Sequence, residues 1–178
     1  MKLEIKGLLS RYIPYDEHNA KQYEKLCEFV DSQEILFGKR NPEGHITASA
    51  WIVDRGYKHV LLTHHAKLNR WLQLGGHTEE DETIIESALR EAFEESGLNS
   101  VSLVSEEIFD LDVHEIPKHG TTEKHYHYDL RFLMVASKEE VLTISDESHD
   151  LKWFELDEVN RHTDEVSILR MIEKTRHL

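Results

Sequence analysis

An acidic segment that directly follows a pair of glycines places the strongest constraint on the fold of this chain. Residues 79–95 hold eight acidic side chains, including Glu80, against one basic side chain. An apolar stripe at helical spacing runs through the same stretch, so we predict a helix over residues 82–96. Asp81 is the predicted N-cap, and Gly97 is predicted to end the helix in the left-handed conformation.

Three carboxylates crowd one side of this predicted helix. At about 100° per residue, Glu91, Glu94 and Glu95 fall within one arc beside the apolar stripe. Like charges three and four residues apart repel, which disfavours the helix unless a positive charge lies between them. A hard divalent cation such as Mg²⁺ or Mn²⁺ prefers oxygen ligands and fits that position. The spacing therefore predicts a divalent metal site.

The fixed residues of this segment resemble the Nudix box. Gly76 is followed after five residues by Glu82, and after seven more by Arg90-Glu91-Ala92-Phe93-Glu94-Glu95-Ser96-Gly97-Leu98. Residues 44–50 and 61–77 are also similar to stretches of bacterial Nudix proteins. The resemblance to this MutT-like hydrolase family implies an α/β fold: an α/β/α sandwich with a mixed sheet and a catalytic loop–helix–loop. It also implies hydrolysis of the pyrophosphate bond in a nucleoside diphosphate linked to another moiety, X.

The resemblance also implies roles for individual residues. Arg90 would orient Glu91, and Glu82 would belong to the same structural charge network. Pyrophosphate hydrolysis needs neutralised oxygens and a deprotonated attacking water, which divalent metal and a free carboxylate supply. Glu94 is the first candidate for the general base. The implied metal ligands are the backbone carbonyl of Gly75 and the carboxylates of Glu91, Glu94 and Glu95.

Two further regions supply candidate substrate or catalytic residues. Lys67 and Arg70 belong to the only basic and aromatic stretch that leads into the box, and they could contact phosphate. Glu147 lies in a loop that resembles one overhanging the metal site in some Nudix enzymes. It is the second candidate for general base or metal ligand, the alternative being a mobile acidic loop.

Histidines are concentrated in two predicted strands. His125, His127, Asp129 and Arg131 alternate along one of them, so they share one face. This face could line the substrate cleft, with His127 as a contact and Arg131 as a planar clamp for phosphate. The alternative is a solvent-facing strand edge. A second, nitrogen-rich metal site is also compatible with the pattern, and it would combine Asp110, Asp112, His114, His125 and His127.

The whole chain is predicted to form one domain. Residues 1–178 contain no repeat or linker, and residues 1–43 are predicted to be an N-terminal helical extension. An amphipathic helix over 16–36 places Cys27 on its apolar stripe, so we interpret this thiol as core packing and not as a nucleophile. Strands are predicted over 46–53, 59–65, 101–113, 126–137 and 152–155, with a final helix over 164–176.

Composition limits the class of function. Asp and Glu number 35 against 21 Lys and Arg, a net charge of −14, so binding to a nucleic-acid backbone is not expected. No apolar run reaches the roughly 18 residues of a membrane helix. The single cysteine needs no oxidising compartment. We expect a cytoplasmic protein with a small-molecule, nucleotide-type substrate, which could form a homodimer through the segment before Gly44.

Two other functions fit parts of the sequence. A non-catalytic Nudix domain could bind a nucleotide or sugar nucleotide as a sensor, but such a domain has no need for the complete metal cage. Isopentenyl-diphosphate isomerases share the Nudix fold and bind metal partly through histidines at places comparable to His45 and His77. The chain lacks the segment that supplies the isomerase's catalytic cysteine and has Leu74-Gly75-Gly76-His77 instead. A pyrophosphohydrolase is therefore the leading prediction.

Overall fold

Helices enclose an eight-stranded sheet in the computed structural model of this chain, which describes residues 1–38, 40–79, 81–118, 120 and 123–178. The helices are α1 (Lys2–Leu9), α2 (Glu17–Ser32), α3 (Ile84–Ser96) and α4 (Val166–Arg176), with a short 3₁₀ helix over Val159–Arg161. The strands are β1 (Gly44–Asp54), β2 (His59–His65), β3 (Arg70–Leu72), β4 (Leu74–His77), β5 (Ser102–Leu103), β6 (Asp110–Ile116), β7 (His125–Ala136) and β8 (Ser148–Glu155). Glu80 of the acidic segment lies outside the described residues.

The strands β1 and β7 run parallel at the centre of the sheet. They pair along the whole of β1, from Gly44 opposite Tyr126 to Asp54 opposite Ala136. Every residue of β1 except Asp54 is buried, as expected for a parallel strand that is covered on both faces. The remaining strand pairs are antiparallel, with the order β3-β2-β1-β7-β5; β4 pairs with β1, β6 with β7 and β8 with β2. The predicted α/β fold with a mixed sheet is confirmed.

The two faces of the sheet have separate apolar cores. On one face, α1, α2 and α3 contribute to a core with the even-numbered residues of β1 and β7, such as Ile46 and Phe132. Cys27 of α2 packs against this core, as predicted. On the other face, α4 packs near Trp51, whose Nε1–H donates a 2.9 Å hydrogen bond to Thr175. Both ends of the chain therefore contribute to holding the sheet.

One edge of β1 changes its pairing partner partway along the strand. Residues Thr47 to Ala50 pair with β4, whereas Val53 pairs with β2. Beyond that point β2 pairs with β3 on this edge, while β8 pairs with β2 along its whole length. This divergence places β4, which carries the two glycines that precede the acidic segment, next to β1 and in contact with α3. The candidate site is built at this position.

The predicted elements differ from the structure mainly at irregular segments. The single strand predicted over 101–113 is wrong, because this stretch is divided into β5 and β6. Between them the Glu107 N–H donates to the Ser105 hydroxyl, and this local turn interrupts the ladder. Neither α1 nor β4 is among the predicted elements. Within the described residues, no helix is long and apolar enough to span a membrane.

Candidate functional site

Capping residues determine where helix α3 begins and ends. The Thr83 hydroxyl accepts a 3.2 Å hydrogen bond from the Glu86 N–H, and the Glu86 carboxylate accepts one of 2.8 Å from the Thr83 N–H. The predicted N-cap Asp81 is therefore wrong, because this reciprocal capping box at Thr83 satisfies two backbone donors at once. Gly97 ends the helix in the left-handed conformation, as predicted, with φ of 69°. A Cβ atom there would also meet Thr143 Oγ1 at 2.7 Å.

The glycines of β4 allow the strand to lie directly against the carboxylates of α3. A Cβ atom on Gly76 would lie 2.7 Å from Glu91 Oε1, closer than real side chains approach each other. The backbone N–H of Gly75 faces the Glu95 carboxylate closely enough to lower its pKa, against the larger effect of burial. Glu91 and Glu95 are therefore enclosed between the helix and the backbone of the loop that precedes it.

Arg90 connects the carboxylates of the acidic segment. Its Nε and Nη2 donate to Glu82 at 2.8 and 3.1 Å, and its Nη1 donates to Glu91 at 2.8 Å and to Glu94 at 3.1 Å. Nη2 also donates to the His77 carbonyl at 2.9 Å. The hydrogen bonds with Glu82 raise the pKa of Arg90 and lower that of Glu82. Arg90 thus connects Glu82 to Glu91 by hydrogen bonds.

Burial makes the negative charge on Glu91 and Glu95 costly. Burial, followed by the charge of Glu91, raises the pKa of Glu95 to about 8. Burial also raises the pKa of Glu91, against the opposing effect of Arg90. Glu147, from the loop before β8, adds negative charge next to both carboxylates, whereas the Glu94 side chain is 55% exposed.

A divalent cation fits the chemistry of these donors. In the part of the chain that the structure describes, Glu95 Oε2 is buried and has no hydrogen-bond partner. Carboxylate oxygens are the ligands that Mg²⁺ and Mn²⁺ prefer, and a bound cation would offset the repulsion between them. The donor set of Glu91, Glu94 and Glu95 therefore suits a hard divalent metal.

Two of the basic residues predicted to contact phosphate, Lys67 and Arg70, lie close to β3. Lys67 is in the loop between β2 and β3, and Arg70 is the first residue of β3. Lys67 is exposed, and both Lys67 and Glu147 act on the pKa of His65, which burial lowers. Arg70 forms an ion pair with Glu165, the residue that precedes α4. An exposed ion pair of this kind is weak, so both basic residues stay candidates for a phosphate contact.

Arg131 lies inside the protein and not at a substrate surface. The residue is 2% exposed, and its Nε donates to Asp129 at 2.7 Å. Asp110 lies 3.5 Å from its Nη1 and also binds Arg170 of α4 at 2.7 Å. The predicted phosphate clamp at Arg131 is therefore wrong, because buried carboxylates already compensate the guanidinium charge.

A polar cluster around Asp129 is absent from the predictions. Thr47 and Ser49 donate to its Oδ1 at 2.9 and 2.8 Å, and Gln73 donates to its Oδ2 at 3.1 Å. The available signal was the alternation of His45, Thr47 and Ser49 in β1, which places three polar residues on one face of a strand. Through Gln73, the residue just before β4, this cluster connects the interior of the sheet to that strand.

The predicted nitrogen-rich metal site has different members in the structure. Asp110 and Asp112 both lie against buried arginines, and Asp112 also contacts His114 at 3.1 Å. Among the described residues, neither belongs to the group of ligand atoms that converge. His127 instead lies in ring contact with His45 and His77, with centroids 4.7 and 5.5 Å away. The histidines of three strands thus come together on one face of the sheet.

Comparison with known proteins agrees with the fold. The family model described as NUDIX domain matches residues 43–174. The probable DHNTP pyrophosphohydrolase of Lactococcus lactis is 27% identical over 125 residues, which cover 68% of this chain and 73% of that protein. A Nudix-family hydrolase from Clostridium perfringens is 26% identical, with a TM-score of 0.56 over 77% of this chain and 98% of that one. The dihydroneopterin triphosphate pyrophosphohydrolase of E. coli is 18% identical, with a TM-score of 0.57 over 79% of this chain and 97% of that one.

Proposed function

This chain belongs to the Nudix domain family, and we propose that it hydrolyses a small nucleotide-type diphosphate with Mg²⁺ or Mn²⁺ as its cofactor. As a member with named pyrophosphohydrolases among its relatives, it is a pyrophosphohydrolase. Nudix enzymes generally use divalent metals. The identity of the metal, the substrate and the role of each residue are the proposal.

The observation that supports metal-dependent hydrolysis is the enclosure of Glu91 and Glu95 between α3 and the backbone of β4. Burial raises the pKa of both carboxylates, the charge of Glu91 raises that of Glu95 further, and Glu95 has a buried oxygen that accepts no hydrogen bond. We assign the metal to Glu91, Glu94, Glu95 and the carbonyl of Gly75. When bound, a divalent cation would neutralise the pyrophosphate oxygens and lower the pKa of an attacking water.

Arg90 and Glu82 act in this proposal as positioning residues. Arg90 reaches Glu91 at 2.8 Å while Glu82 holds the other side of the guanidinium at 2.8 and 3.1 Å. The planar guanidinium can make these contacts together, which the point charge of lysine cannot reproduce. Their role would be to keep the Glu91 carboxylate aimed at the metal.

Two exposed carboxylates are available to accept a proton from the attacking water. Glu94 is 55% exposed, and its contact with Arg90 is 3.1 Å long. Glu147 is exposed on the loop before β8 and lies close enough to raise the pKa of Glu91 and Glu95. We propose Glu94 as the general base and Glu147 as the alternative.

For the substrate we propose a triphosphate of nucleoside type, with dihydroneopterin triphosphate as the first compound to test. The support is the 27% identity to the probable DHNTP pyrophosphohydrolase of Lactococcus lactis, which covers 68% of this chain. Lys67, exposed near Glu147, is the first candidate for a phosphate contact, followed by Arg70. His127 packs against other histidines, so we do not assign it to the substrate.

The test is turnover of a substrate panel at about pH 8 with Mg²⁺ or Mn²⁺. The panel would contain dihydroneopterin triphosphate, nucleoside triphosphates, ADP-ribose and a dinucleoside tetraphosphate, with products separated by chromatography. We expect metal-dependent release of pyrophosphate or a monophosphate from one compound. The Glu94→Gln and Glu95→Gln variants should each lose at least about a hundredfold in kcat, since general-base catalysis alone contributes 10²–10⁴-fold.

Glu106→Gln is the matched control, because it makes the same chemical change at an exposed carboxylate outside α3. Metal-dependent binding of a compound without turnover would support the sensor interpretation instead. Isomerisation of isopentenyl diphosphate would support the isomerase interpretation, and turnover that is unchanged in Glu95→Gln would refute the proposed metal ligands.

We also propose that residues 1–43 are an extension that folds together with the family domain in a cytoplasmic protein. Ile5 and Leu8 of α1 and Leu26 and Phe29 of α2 are buried in the same core as the sheet. Deleting the extension should therefore expose this core and lower the melting temperature strongly. Size-exclusion chromatography of the full chain would test the homodimer that the sequence allows.

A further inference from the structure

Five histidines come together on the face of the sheet where β4, β1, β7 and β6 lie side by side. The strand register brings them there: His45 lies opposite His127, and His127 lies opposite His114. His77 ends β4 opposite Thr47, two residues along the same face of β1 from His45. His125 lies two residues before His127 on β7 and stacks on His45 at 5.1 Å. The chain thus contributes imidazoles from four strands to one place.

Three of these imidazoles converge. One ring nitrogen each of His45, His77 and His127 lies within 4.8 Å of the other two. His45 is 1% exposed, His127 is partly buried and His77 is exposed, so the group extends from the interior to the surface. This arrangement gives a bound ion both a rigid wall and a route of entry.

Burial favours the neutral form of His127, which is the form of histidine that binds metal. Burial, followed by the charges that neighbouring histidines would carry, lowers the pKa of His127 to about 2. The carboxylate of Asp112 contacts His114 Nδ1 of the cluster at 3.1 Å, and its charge is paired with Arg131 and Arg170. Over the ranges that the structure describes, the converging donors of the cluster are therefore imidazole nitrogens alone.

We propose that His45, His77 and His127 bind a transition-metal ion of the Zn²⁺ class, at a site separate from the carboxylates of α3. Imidazole nitrogens favour Zn²⁺, Ni²⁺ or Cu²⁺, whereas Mg²⁺ requires oxygen ligands. In a tetrahedral zinc site with Zn–N distances of about 2.0–2.1 Å, ligand nitrogens lie about 3.3–3.4 Å apart. Closing the present spacing to that value needs shifts of about 1 Å, which small side-chain rotations supply. A fourth position is open to His125, His114 or water.

Strand β4 would connect this histidine site to the carboxylates of α3. The ring of His77 belongs to the histidine group, while its carbonyl accepts the 2.9 Å hydrogen bond from Arg90 Nη2. Gly76 and Gly75, one and two residues earlier, lie against Glu91 and Glu95. A metal that joins β4 to β1 and β7 would therefore fix the end of β4, the strand that contacts α3. This inference does not depend on the proposed substrate or on turnover.

The test is calorimetric titration of the untagged, chelator-treated protein with Zn²⁺ in millimolar Mg²⁺, which occupies the oxygen site. We expect one equivalent of Zn²⁺ to bind and to raise the melting temperature. The His77→Gln and His127→Gln variants should each lose at least about a hundredfold in Zn²⁺ affinity, because even outer-shell changes cost 10–100-fold. His149→Gln, an exposed histidine of β8, is the matched control and should bind as the wild type does.

A second measurement needs no variant and identifies the ligands directly. Long-range ¹H–¹⁵N NMR spectra of the wild-type histidines should show that Zn²⁺ shifts the ring nitrogens of His45, His77 and His127. Zn²⁺ binding that survives in both histidine variants but is lost in Glu95→Gln would overturn the proposal by placing the ion at the carboxylates. Absence of Zn²⁺ binding by the folded wild-type protein would overturn it as well. Loss of turnover in Glu94→Gln with unchanged Zn²⁺ affinity would separate this site from the proposed function.

Discussion

Replacing Glu95 by glutamine should stabilise the metal-free protein while removing its metal-dependent activity. The side chain keeps its size and loses a charge that is enclosed between α3 and β4. The ordinary pKa of a glutamate is 4.5, and burial with the charge of Glu91 raises that of Glu95 to about 8. The folded state therefore holds this proton more tightly than the unfolded state, so the metal-free wild type loses stability as pH rises from about 4.5 through about 8.

The size of this loss follows from the two pKa values. Between pH 6 and pH 8 the wild type should lose about 2 kcal/mol of unfolding free energy relative to Glu95→Gln, at roughly 1.4 kcal/mol per pKa unit. For a domain of this length that corresponds to about 4–8 °C in melting temperature. The variant should then be the more stable protein at pH 8 in the presence of a chelator.

Melting curves in chelator at pH 6, 7 and 8 measure the effect, with Glu106→Gln as the control. Adding Mg²⁺ or Mn²⁺ at pH 8 should raise the melting temperature of the wild type and leave that of Glu95→Gln nearly unchanged, because a metal that binds the folded state stabilises it by mass action. Identical pH dependence in the wild type and in Glu95→Gln would refute the reasoning. It would mean that Glu95 is ionised in the folded protein at neutral pH.

Three further changes test other parts of the structure. Arg90→Lys should lower kcat at least about tenfold at unchanged melting temperature, because lysine cannot reproduce the planar contacts of the guanidinium. Steady-state kinetics at saturating metal measure this effect. An unchanged kcat would contradict the positioning role. Asp110→Asn should destabilise the protein by about 3–5 kcal/mol in urea unfolding, since it leaves the buried charge of Arg170 uncompensated; a loss below 1 kcal/mol would contradict this. Thr83→Ala should lower the free energy of unfolding by about 1 kcal/mol by removing the helix cap, with activity retained when the protein is folded; an unchanged free energy of unfolding in urea would contradict the capping role.

The local features of the box helix are accessible to sequence reasoning, and the start of the helix shows its limit. Gly97 ends α3 as predicted, because only a residue without a side chain adopts this backbone conformation easily. Asp81 and Thr83 are both good N-caps, and Glu86 decides between them by completing a capping box with Thr83. The apolar stripe alone does not discriminate between two starts that lie two residues apart.

Long-range pairing accounts for the predictions that the structure corrects. Arg131 is a reasonable phosphate clamp in isolation, but its charge is compensated by Asp110 of β6, which also binds Arg170 of α4. The alternation of polar residues in β7 shows correctly that they share a face. It contains no information on which helix covers that face. The same applies to His127, whose partners depend on the register of β7 against β1.

The parallel pairing of β1 and β7 also determines when this protein can fold during its synthesis. Each pair in that ladder joins residues 82 positions apart, as Gly44 opposite Tyr126 shows. The almost entirely buried β1 therefore leaves the ribosome long before its central partner exists, and its apolar side chains stay exposed until Ala136 has emerged. We expect nascent chains that stop before β7 to require chaperones or to aggregate. Ribosome-bound chains of increasing length should become protease-resistant only once β7 is outside the exit tunnel.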